Sequence, residues 1–226
     1  MLKSLKKKLN ISDNLYILDK PSRGIATLEQ IKKNEIIVSI PDKFLLTTSS
    51  IPYYQELKNK VHDNSIFAIF LLQESEKKKK SKWEFYIKSF PSRQSVEKDF
   101  PIFWKKSMFQ NEKQLEILVT QYRTQIQKDL KTIKKILKLN NIIYKDYLYF
   151  RLLVTSRMFS YQNKIYMVPY IDLFNHAKKP NTTWFYKENH FILKAISDIP
   201  QNSEIYDNYG NKNNIYLKLY YGFTLS

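Results

Sequence analysis

Hydrophobic residues recur at steps of three and four along one long segment in the middle of the chain. The segment opens with Asn111 and Gln114, which resemble a capping box. The apolar positions that follow are Leu115, Leu118, Val119, Tyr122, Ile126, Leu130, Ile133 and Leu137. This spacing predicts an amphipathic helix of about 27 residues with one buried face.

Two further segments of the same region favour helices. Residues 66–76 form a strongly apolar run that Asn64 or Ser65 could cap, because Asn and Ser accept hydrogen bonds from the free N–H groups of a first turn. Residues 144–161 are predicted to form another helix. Residues 83–87 are read as a short aromatic helix or strand.

Both ends of the chain also carry helical signals. Leu2, Leu5 and Leu9 stand at helical spacing between lysines and predict a short packing helix, with an organelle-targeting segment as the alternative. Asn211 is predicted to begin a last helix. Gly222 would lie just past its end, where a left-handed backbone is common.

Short runs of β-branched and apolar residues flank the helical region on both sides. Before it, the predicted strands are residues 15–18, 25–27 and 35–41, and the last of these is read as a buried strand. After it, the predicted strands are residues 165–169, 183–186, 191–195 and 204–206, of which the second and third form a hairpin. Strands, a helical block and strands again indicate an α+β fold.

Composition excludes several classes of protein. No apolar run approaches the length of about 18 residues that a membrane span needs, and the lysine-rich first ten residues lack the apolar core of a secretory signal. The chain has no cysteine, which excludes disulfides, cysteine-bound zinc and a thiol nucleophile. No metal site is predicted.

The chain carries a formal net charge of +17. Such a charge suits a nucleic-acid or acidic protein partner. The alternative is a compositional bias toward Lys, Asn, Ile and Tyr, which we favour because the lysines are spread along the chain.

The chain is poor in glycine. Average usage is roughly 7%, so about sixteen glycines would be expected. The sequence has three, which are Gly24, Gly210 and Gly222. Because glycine is needed where φ is positive or another group approaches closely, we expect these three to mark such places.

Polar residues are concentrated in one hydrophobic stretch, residues 168–176. It carries Asp172, Asn175 and His176 within five positions. A buried polar group costs free energy unless it is hydrogen-bonded, so something must satisfy these side chains. From the spacing alone, a polar cap on a buried strand and a functional site remain equally open.

Four segments, in order along the chain, resemble the motifs of SET domains. Residues 23–41 are similar to the opening of that domain, 168–176 to its asparagine–histidine motif, 204–210 to its tyrosine motif and 219–223 to its closing motif. Residues 82–91 and 156–159 resemble the branch that contains Rubisco large-subunit lysine methyltransferase. The resemblance implies a fold of short twisted strands with a threaded C-terminal segment. Residues 1–14 would be a basic flank, and 15–226 the SET domain with a helical insertion at 42–150.

The resemblance also implies a cofactor, S-adenosyl-L-methionine, and the residues that hold it. They are Pro21, Ser22, Arg23, Arg157, Asp172, Asn175, His176, Tyr209 and Phe223. The first three would act mainly through backbone groups. Arg157 would neutralise the cofactor carboxylate, a role that suits its fixed set of donors. Phe223 would pack on the adenine.

The implied reaction transfers a methyl group to a lysine side chain. Phe159, Tyr186 and Tyr221 would form an aromatic channel, which removes water and so disfavours the charged amine, whose ordinary pKa is about 10.4. Tyr209 would be the catalytic residue that orients the amine, and whether it acts as a base is left open.

The function expected from the resemblance is therefore protein-lysine N-methylation of a non-histone protein. Alternatives are a non-catalytic basic module that binds protein or RNA, and methylation of histidine. The expected partner is a protein substrate, either ribosomal, chromatin-associated or acidic, with nucleic acid reached only through that substrate. We expect a monomer in the cytoplasm or nucleus, away from membranes.

Overall fold

The computed structural model describes residues 2–18 and 23–225 and divides into two compact units. One unit comprises Met1–Thr47 and Met158–Asn211, and the other comprises Thr48–Arg157 and Lys212–Ser226. Pro21 and Ser22 lie outside the described residues. The predicted limits of the helical insertion, 42 and 150, stay a prediction.

The first unit contains the strands and one helix. Its elements are α1 (Leu2–Leu9), β1 (Leu15–Leu18), β2 (Gly24–Thr27), β3 (Ile36–Pro41), β4 (Leu46–Thr47), β5 (Met158–Tyr161), β6 (Lys164–Met167), β7 (Asn175–His176), β8 (Thr182–Lys187), β9 (His190–Ala195) and β10 (Glu204–Asp207). The predicted strands are confirmed to within two residues at each end. The predicted packing helix at the N-terminus is also confirmed, with Leu5 and Leu9 buried.

These strands form three small sheets. The first has the order β1–β2–β10–β7, in which β10 and β7 run parallel and the other pairs are antiparallel. The second has the order β3–β9–β8, with β8 and β9 forming the predicted hairpin, and the third has the order β4–β6–β5. The first sheet thus brings segments that are far apart in the chain, β2, β7 and β10, side by side.

The strand at residues 35–41 is half-buried, and the prediction of a fully buried strand is wrong. Val38 and Ile40 are buried, whereas Ile36 is 56% exposed. The reason is that only one face of β3 packs on the core, so its side chains alternate between the core and the solvent.

The second unit is helical. Its α-helices are α2 (Tyr54–Leu57), α3 (Asp63–Glu76), α4 (Glu84–Ile87), α5 (Arg93–Asp99), α6 (Lys113–Leu137), α7 (Tyr144–Arg157) and α8 (Asn214–Tyr221). Every side chain from Ile66 to Leu72 on α3 is buried, so the apolar run noted in the sequence is a central core helix. In the described part of the chain, no helix is both long and apolar enough to cross a membrane.

The long amphipathic helix is confirmed as α6, which has 25 residues. Its buried face includes Leu115, Val119, Ile126 and Ile133. The capping box is wrong, since Glu112 occupies the cap position and its side chain makes no capping bond. The helix ends at Leu137, and the next residue, Lys138, takes a left-handed conformation with φ 54°.

Two other helix boundaries differ from the sequence prediction. The helix predicted through residue 161 ends at Arg157, because Met158–Tyr161 pairs with β6 instead. The predicted side-chain cap of α3 is also wrong. His62 occupies the cap position, and its backbone N–H donates to Asp129 on α6 over 3.4 Å, so the cap comes from another helix. Neither pairing can be read from local sequence.

The last helix begins three residues later than predicted. Asn213 caps it, with Oδ1 accepting a 2.8 Å hydrogen bond from the Tyr216 N–H. On this helix, Leu217 is buried and Tyr220 is partly exposed. Gly222 ends the helix with φ 79°, as predicted for this glycine.

Candidate active site

The asparagine–histidine segment and the tyrosine segment are in direct contact within the strand unit. β7 and β10 pair in parallel, with Asp207 opposite His176. Tyr209 follows two residues later, and its backbone N–H donates to His176 Nδ1 over 3.2 Å. The two rings stack with centroids 5.2 Å apart and planes 18° from parallel. The fold therefore brings His176 and Tyr209, 33 residues apart in the sequence, into direct contact.

These contacts fix the protonation state of His176. Because an N–H can only donate, Nδ1 must be an unprotonated acceptor, and the ring proton resides on Nε2. Burial lowers the pKa of His176, and a hydrogen bond to the Asp207 backbone acts in the opposite direction. At neutral pH the imidazole is therefore neutral and held in one tautomer, which fixes the backbone at Tyr209.

The hydroxyl of Tyr209 is oriented by the main chain. It donates a 2.7 Å hydrogen bond to the carbonyl oxygen of Phe174, the residue immediately before β7. With its proton directed at Phe174, the phenol oxygen presents its lone pairs as acceptors. This geometry suits a residue that orients a polar ligand.

Asn175 is held by a carboxylate. Its side-chain amide donates to Glu204 Oε1 over 2.7 Å, and Glu204 Oε2 accepts a 2.8 Å bond from the Tyr206 hydroxyl. Gly24 on β2 lies against this pair: a Cβ there would be 2.1 Å from Glu204 Oε1 and 2.6 Å from Asn175 Nδ2. The rare glycine thus marks a close approach, as its rarity indicated.

The turn before β7 is strained at Tyr170. This residue has φ 76° and ψ −46° and precedes the short helical turn Ile171–Leu173, which carries the buried Asp172. A positive φ is a true outlier for a bulky residue. Tyr170 is fully buried, and its hydroxyl has no hydrogen-bond partner among the described residues. Sequence reasoning missed Tyr170, because nothing in its residue type signals this backbone conformation.

Two predicted channel residues lie in an aromatic cluster of the strand unit. Phe159 on β5 packs edge-on against Trp184 at 5.5 Å and against Phe191 at 5.1 Å. Tyr186 on β8 has its ring 5.8 Å from that of Tyr166. The pairing of β8 with β9 and of β5 with β6 produces this cluster, and Trp184 was not singled out from the sequence.

The hydroxyl of Tyr186 is engaged with a carboxylate. It donates to Asp42 Oδ2 over 2.6 Å, and this hydrogen bond is the main reason that the pKa of Tyr186 is raised to about 12. Arg23, which directly precedes β2, is the one member of the predicted cofactor loop that the structure describes, and its side chain is half-buried.

The remaining predicted residues belong to the helical unit. Arg157 is the last residue of α7, and its guanidinium lies 5.7 Å from the centre of the Phe90 ring. Tyr221 is the last residue of α8, with its ring 6.3 Å from that of Phe223. Burial raises the pKa of Tyr221 to about 12.

Comparison with known proteins identifies the fold. The solved SET domain of LSMT bound to MeLysine and AdoHcy matches with a TM-score of 0.86 at 20% identity, covering 99% of this chain and 56% of that one. Rubisco LSMT bound to AdoMet gives a TM-score of 0.83 at 20% identity over 99% and 55%. The chain thus spans about half the length of these proteins. The predicted α+β fold of SET type is confirmed.

Sequence comparison agrees. The chain is 31% identical over 108 residues to protein SET DOMAIN GROUP 40 of Arabidopsis thaliana, which covers 44% of this chain and 21% of the relative. It is 35% identical over 63 residues to ribosomal lysine N-methyltransferase 1 of Saccharomyces cerevisiae, covering 28% and 11%. The family model described as SET domain matches residues 22–210, from β2 through β10 and the Tyr209 segment. The chain therefore belongs to the SET-domain family, as its motifs predicted.

Proposed function

We propose that this chain is an S-adenosylmethionine-dependent protein N-methyltransferase that modifies a lysine side chain of a non-histone protein. The observation that carries the proposal is the contact of Tyr209 with both Phe174 and His176. It places an oriented phenol oxygen beside the segment that carries Asn175. Three elements distant in sequence, β2, β7 and β10, converge there, and such convergence is typical of a binding site.

The related proteins support this proposal. One relative is named as a ribosomal lysine N-methyltransferase, and solved structures of the same fold are described as bound to AdoMet, AdoHcy or sinefungin, some together with lysine or a methylated lysine. Because the chain spans only part of each of these proteins, their activity is carried to it here as a proposal.

The residues of the strand unit fit the cofactor. The missing side chain at Gly24 leaves open the space beside Asn175, whose amide orientation is fixed by Glu204. We assign the Asn175 side chain and the His176 backbone to hydrogen bonds with the cofactor, which replace the water these groups lose on burial. Asp172 and Arg23 join this set, together with backbone groups of Pro21 and Ser22.

Two residues of the helical unit complete the assignment. Arg157 is assigned to the cofactor carboxylate, because a guanidinium binds carboxylates through paired charge-assisted hydrogen bonds. Phe223 is assigned to packing on the adenine. S-adenosylmethionine, when bound, supplies an electrophilic methyl group on a sulfonium.

The acceptor side of the reaction uses aromatic and oxygen groups. Phe159, Tyr186 and Tyr221 are assigned to the walls of the channel, where loss of water lowers the pKa of a lysine amine and leaves it neutral for attack. The Tyr209 oxygen, with its proton committed to Phe174, accepts weak hydrogen bonds and orients the amine. Most of the acceleration then comes from positioning.

The choice of acceptor and partner follows from two features. Phe159 presents an aromatic wall, which suits the long apolar stem of lysine better than an imidazole. The net charge of +17 suits a substrate with acidic patches or one carried on RNA, such as a ribosomal or chromatin-associated protein. We propose that the enzyme acts as a monomer.

The test has two parts. Calorimetric titration with S-adenosylmethionine should give saturable binding, and labelling of a proteome with radiolabelled cofactor should mark discrete protein bands. Mass spectrometry of the product should locate the methyl group on lysine. No binding at millimolar cofactor would end the proposal, and methylated imidazole with unmodified lysine would change the acceptor. Tight RNA binding with a steep salt dependence and no methyl transfer would favour a non-catalytic binding module.

A further inference from the structure

A cavity of about 450 Å³ lies within the helical unit, and none of the residues assigned above lines it. Residues of α6, α7 and α8 line it, together with His62 and Asn64 at the start of α3. Its volume is in the range typical of small-molecule sites. Its lining combines tyrosines, side-chain amides and one guanidinium.

That guanidinium belongs to Arg151 on α7, which is only 3% exposed. Its Nε donates to Ser65 Oγ over 3.0 Å. Its Nη1 donates to the Tyr122 hydroxyl over 2.9 Å and also to Thr155 Oγ1. All three hydrogen-bond partners are neutral hydroxyls, and the guanidinium also lies 5.4 Å from the centre of the Tyr122 ring, so the side chain is held without a direct ion pair.

No carboxylate of the described residues lies within 4.0 Å of the Arg151 guanidinium, and none of their atoms accepts a hydrogen bond from its Nη2. The nearest acid in the network, Asp129, is linked to Arg151 only through the shared hydroxyl of Ser65. It accepts from Ser65 over 2.7 Å and from Gln125 over 2.8 Å, and it lies 2.9 Å from His62 Nδ1. Nη2 of Arg151 is therefore left as a charged donor for an anion in the cavity.

The walls of the cavity offer flat apolar surface. The rings of Tyr216 and Tyr220 on α8 have centroids 4.5 Å apart, and the Tyr122 ring meets Tyr220 edge-on at 5.0 Å. Tyr216 is 38% exposed. Gln121, also exposed, is one of the amides that line the cavity. Such a surface packs well against an aromatic ring.

We propose that this cavity is a second ligand site, which binds a small organic anion. Nη2 of Arg151 would donate to an oxygen of its carboxylate or phosphate group, while Tyr216 and Tyr220 would pack on its apolar part. Arginine suits this role because it is always charged and its donors are held in a plane. The site shares no residue with the proposed active site.

The test uses phenyl phosphate as the probe, with binding followed by NMR on the labelled full chain. We expect saturable shifts of amides at residues 62–64, 118–125, 151–155 and 216–220. Inorganic phosphate, which lacks the ring, should bind more weakly at the same amides, and benzoate should compete if a carboxylate is accepted. Phenol, which lacks the anion, should not bind. Saturation with S-adenosylmethionine should leave these shifts in place.

Substitutions at the exposed lining keep the test clear of folding defects. Gln121→Glu should weaken phenyl phosphate binding at least fivefold through charge repulsion. The same change at Gln94, an exposed position on α5 outside the cavity, should have no effect and controls for net charge. Tyr216→Ala should weaken phenyl phosphate but not inorganic phosphate.

The contribution of Arg151 itself is tested with Arg151→Lys, after circular dichroism has established that the variant is folded. We expect at least tenfold weaker binding. Absence of saturable binding to the wild-type chain, shifts confined to other regions, or equal effects of the changes at Gln121 and Gln94 would overturn the proposal. If Arg151→Lys does not fold, the binding of phenyl phosphate to the Gln121 and Tyr216 variants decides whether the proposal stands.

Discussion

The side-chain amide of Asn175 donates a 2.7 Å hydrogen bond to Oε1 of Glu204, 29 residues further along the chain. The parallel pairing of β7 with β10 brings the two together, and Gly24 on the neighbouring β2 makes room for them. Glu204 thereby fixes which way the Asn175 amide points. It is a positioning residue for the proposed cofactor site, and it carried no signal of its own in the sequence.

Glu204→Ala should weaken S-adenosylmethionine binding about tenfold, equivalent to about 1.4 kcal/mol, because the Asn175 amide loses its orientation. Glu204→Gln should bind nearly as well, since the glutamine oxygen can still accept from Asn175. Calorimetry on both variants measures the effect. Equal affinity of the alanine variant and the wild type would contradict this role, provided that urea unfolding shows both are folded.

Tyr209→Phe should still bind cofactor but transfer methyl groups at least tenfold more slowly, a loss of about 1.4 kcal/mol of transition-state stabilisation. The phenol oxygen that orients the amine is then missing, while the ring that stacks on His176 remains. Single-turnover transfer from radiolabelled cofactor measures the rate. Tyr16→Phe on β1 serves as the matched control and should react at the wild-type rate. Unchanged turnover of the first variant would remove Tyr209 from the site.

Tyr170→Phe should stabilise the protein by about 1–2 kcal/mol, because it removes a buried hydroxyl that has no hydrogen-bond partner among the described residues. Tyr54→Phe provides the opposite case. The Tyr54 hydroxyl donates to Asp63 over 2.8 Å, so its removal should destabilise by about 1 kcal/mol. Urea denaturation measures the change in the free energy of unfolding for both variants, and the two changes should have opposite signs. A loss of stability in Tyr170→Phe would mean that the hydroxyl is satisfied in solution.

The raised pKa of Asp207 should make the stability of the protein depend on pH. Burial raises the pKa of this carboxyl from 3.8 to about 6, and a hydrogen bond from the Asn208 backbone opposes the shift. A raised pKa in the folded state means that the group contributes stability below pH 4, which is lost as the pH rises through about 6. Asp207→Asn should therefore be more stable than the wild type at pH 7.5, by at most about 3 kcal/mol.

The same comparison at pH 4 supplies the internal control for Asp207. There the folded wild-type carboxyl is protonated and the unfolded one is close to its pKa of 3.8, so most of the advantage of the asparagine variant should disappear. Urea unfolding at several values between pH 4 and 7.5 measures the difference. A constant offset between the two proteins across this range would show that Asp207 does not titrate with a raised pKa.

Much of the fold was accessible from local pattern. Apolar residues spaced three and four apart after Gln114 predicted α6, because this spacing places them on one face of a helix. The rarity of glycine pointed to Gly24, where a Cβ would collide with Glu204, and to Gly222, where φ is 79°. These features depend on each residue's own chemistry and near neighbours.

Boundaries set by distant partners were not accessible. Met158–Tyr161 continues a helical sequence but pairs with β6, and the cap of α3 comes from Asp129, which lies more than sixty residues away. The exposed Ile36 lies on the solvent-facing side of its strand, which no local pattern of β-branched residues reveals.

By itself the sequence determined which residues could do chemistry: the polar group at 172–176, the tyrosine at 209 and the motifs that carry the family. Only the tertiary structure decided how they act together. It set the neutral tautomer of His176, the direction of the Tyr209 hydroxyl and the hydrogen bond from the Asn175 amide to Glu204. It also left Arg151 buried without a carboxylate partner among the described residues. The physical reason is that hydrogen bonds and charges act over a few ångströms of space, whatever the distance along the chain.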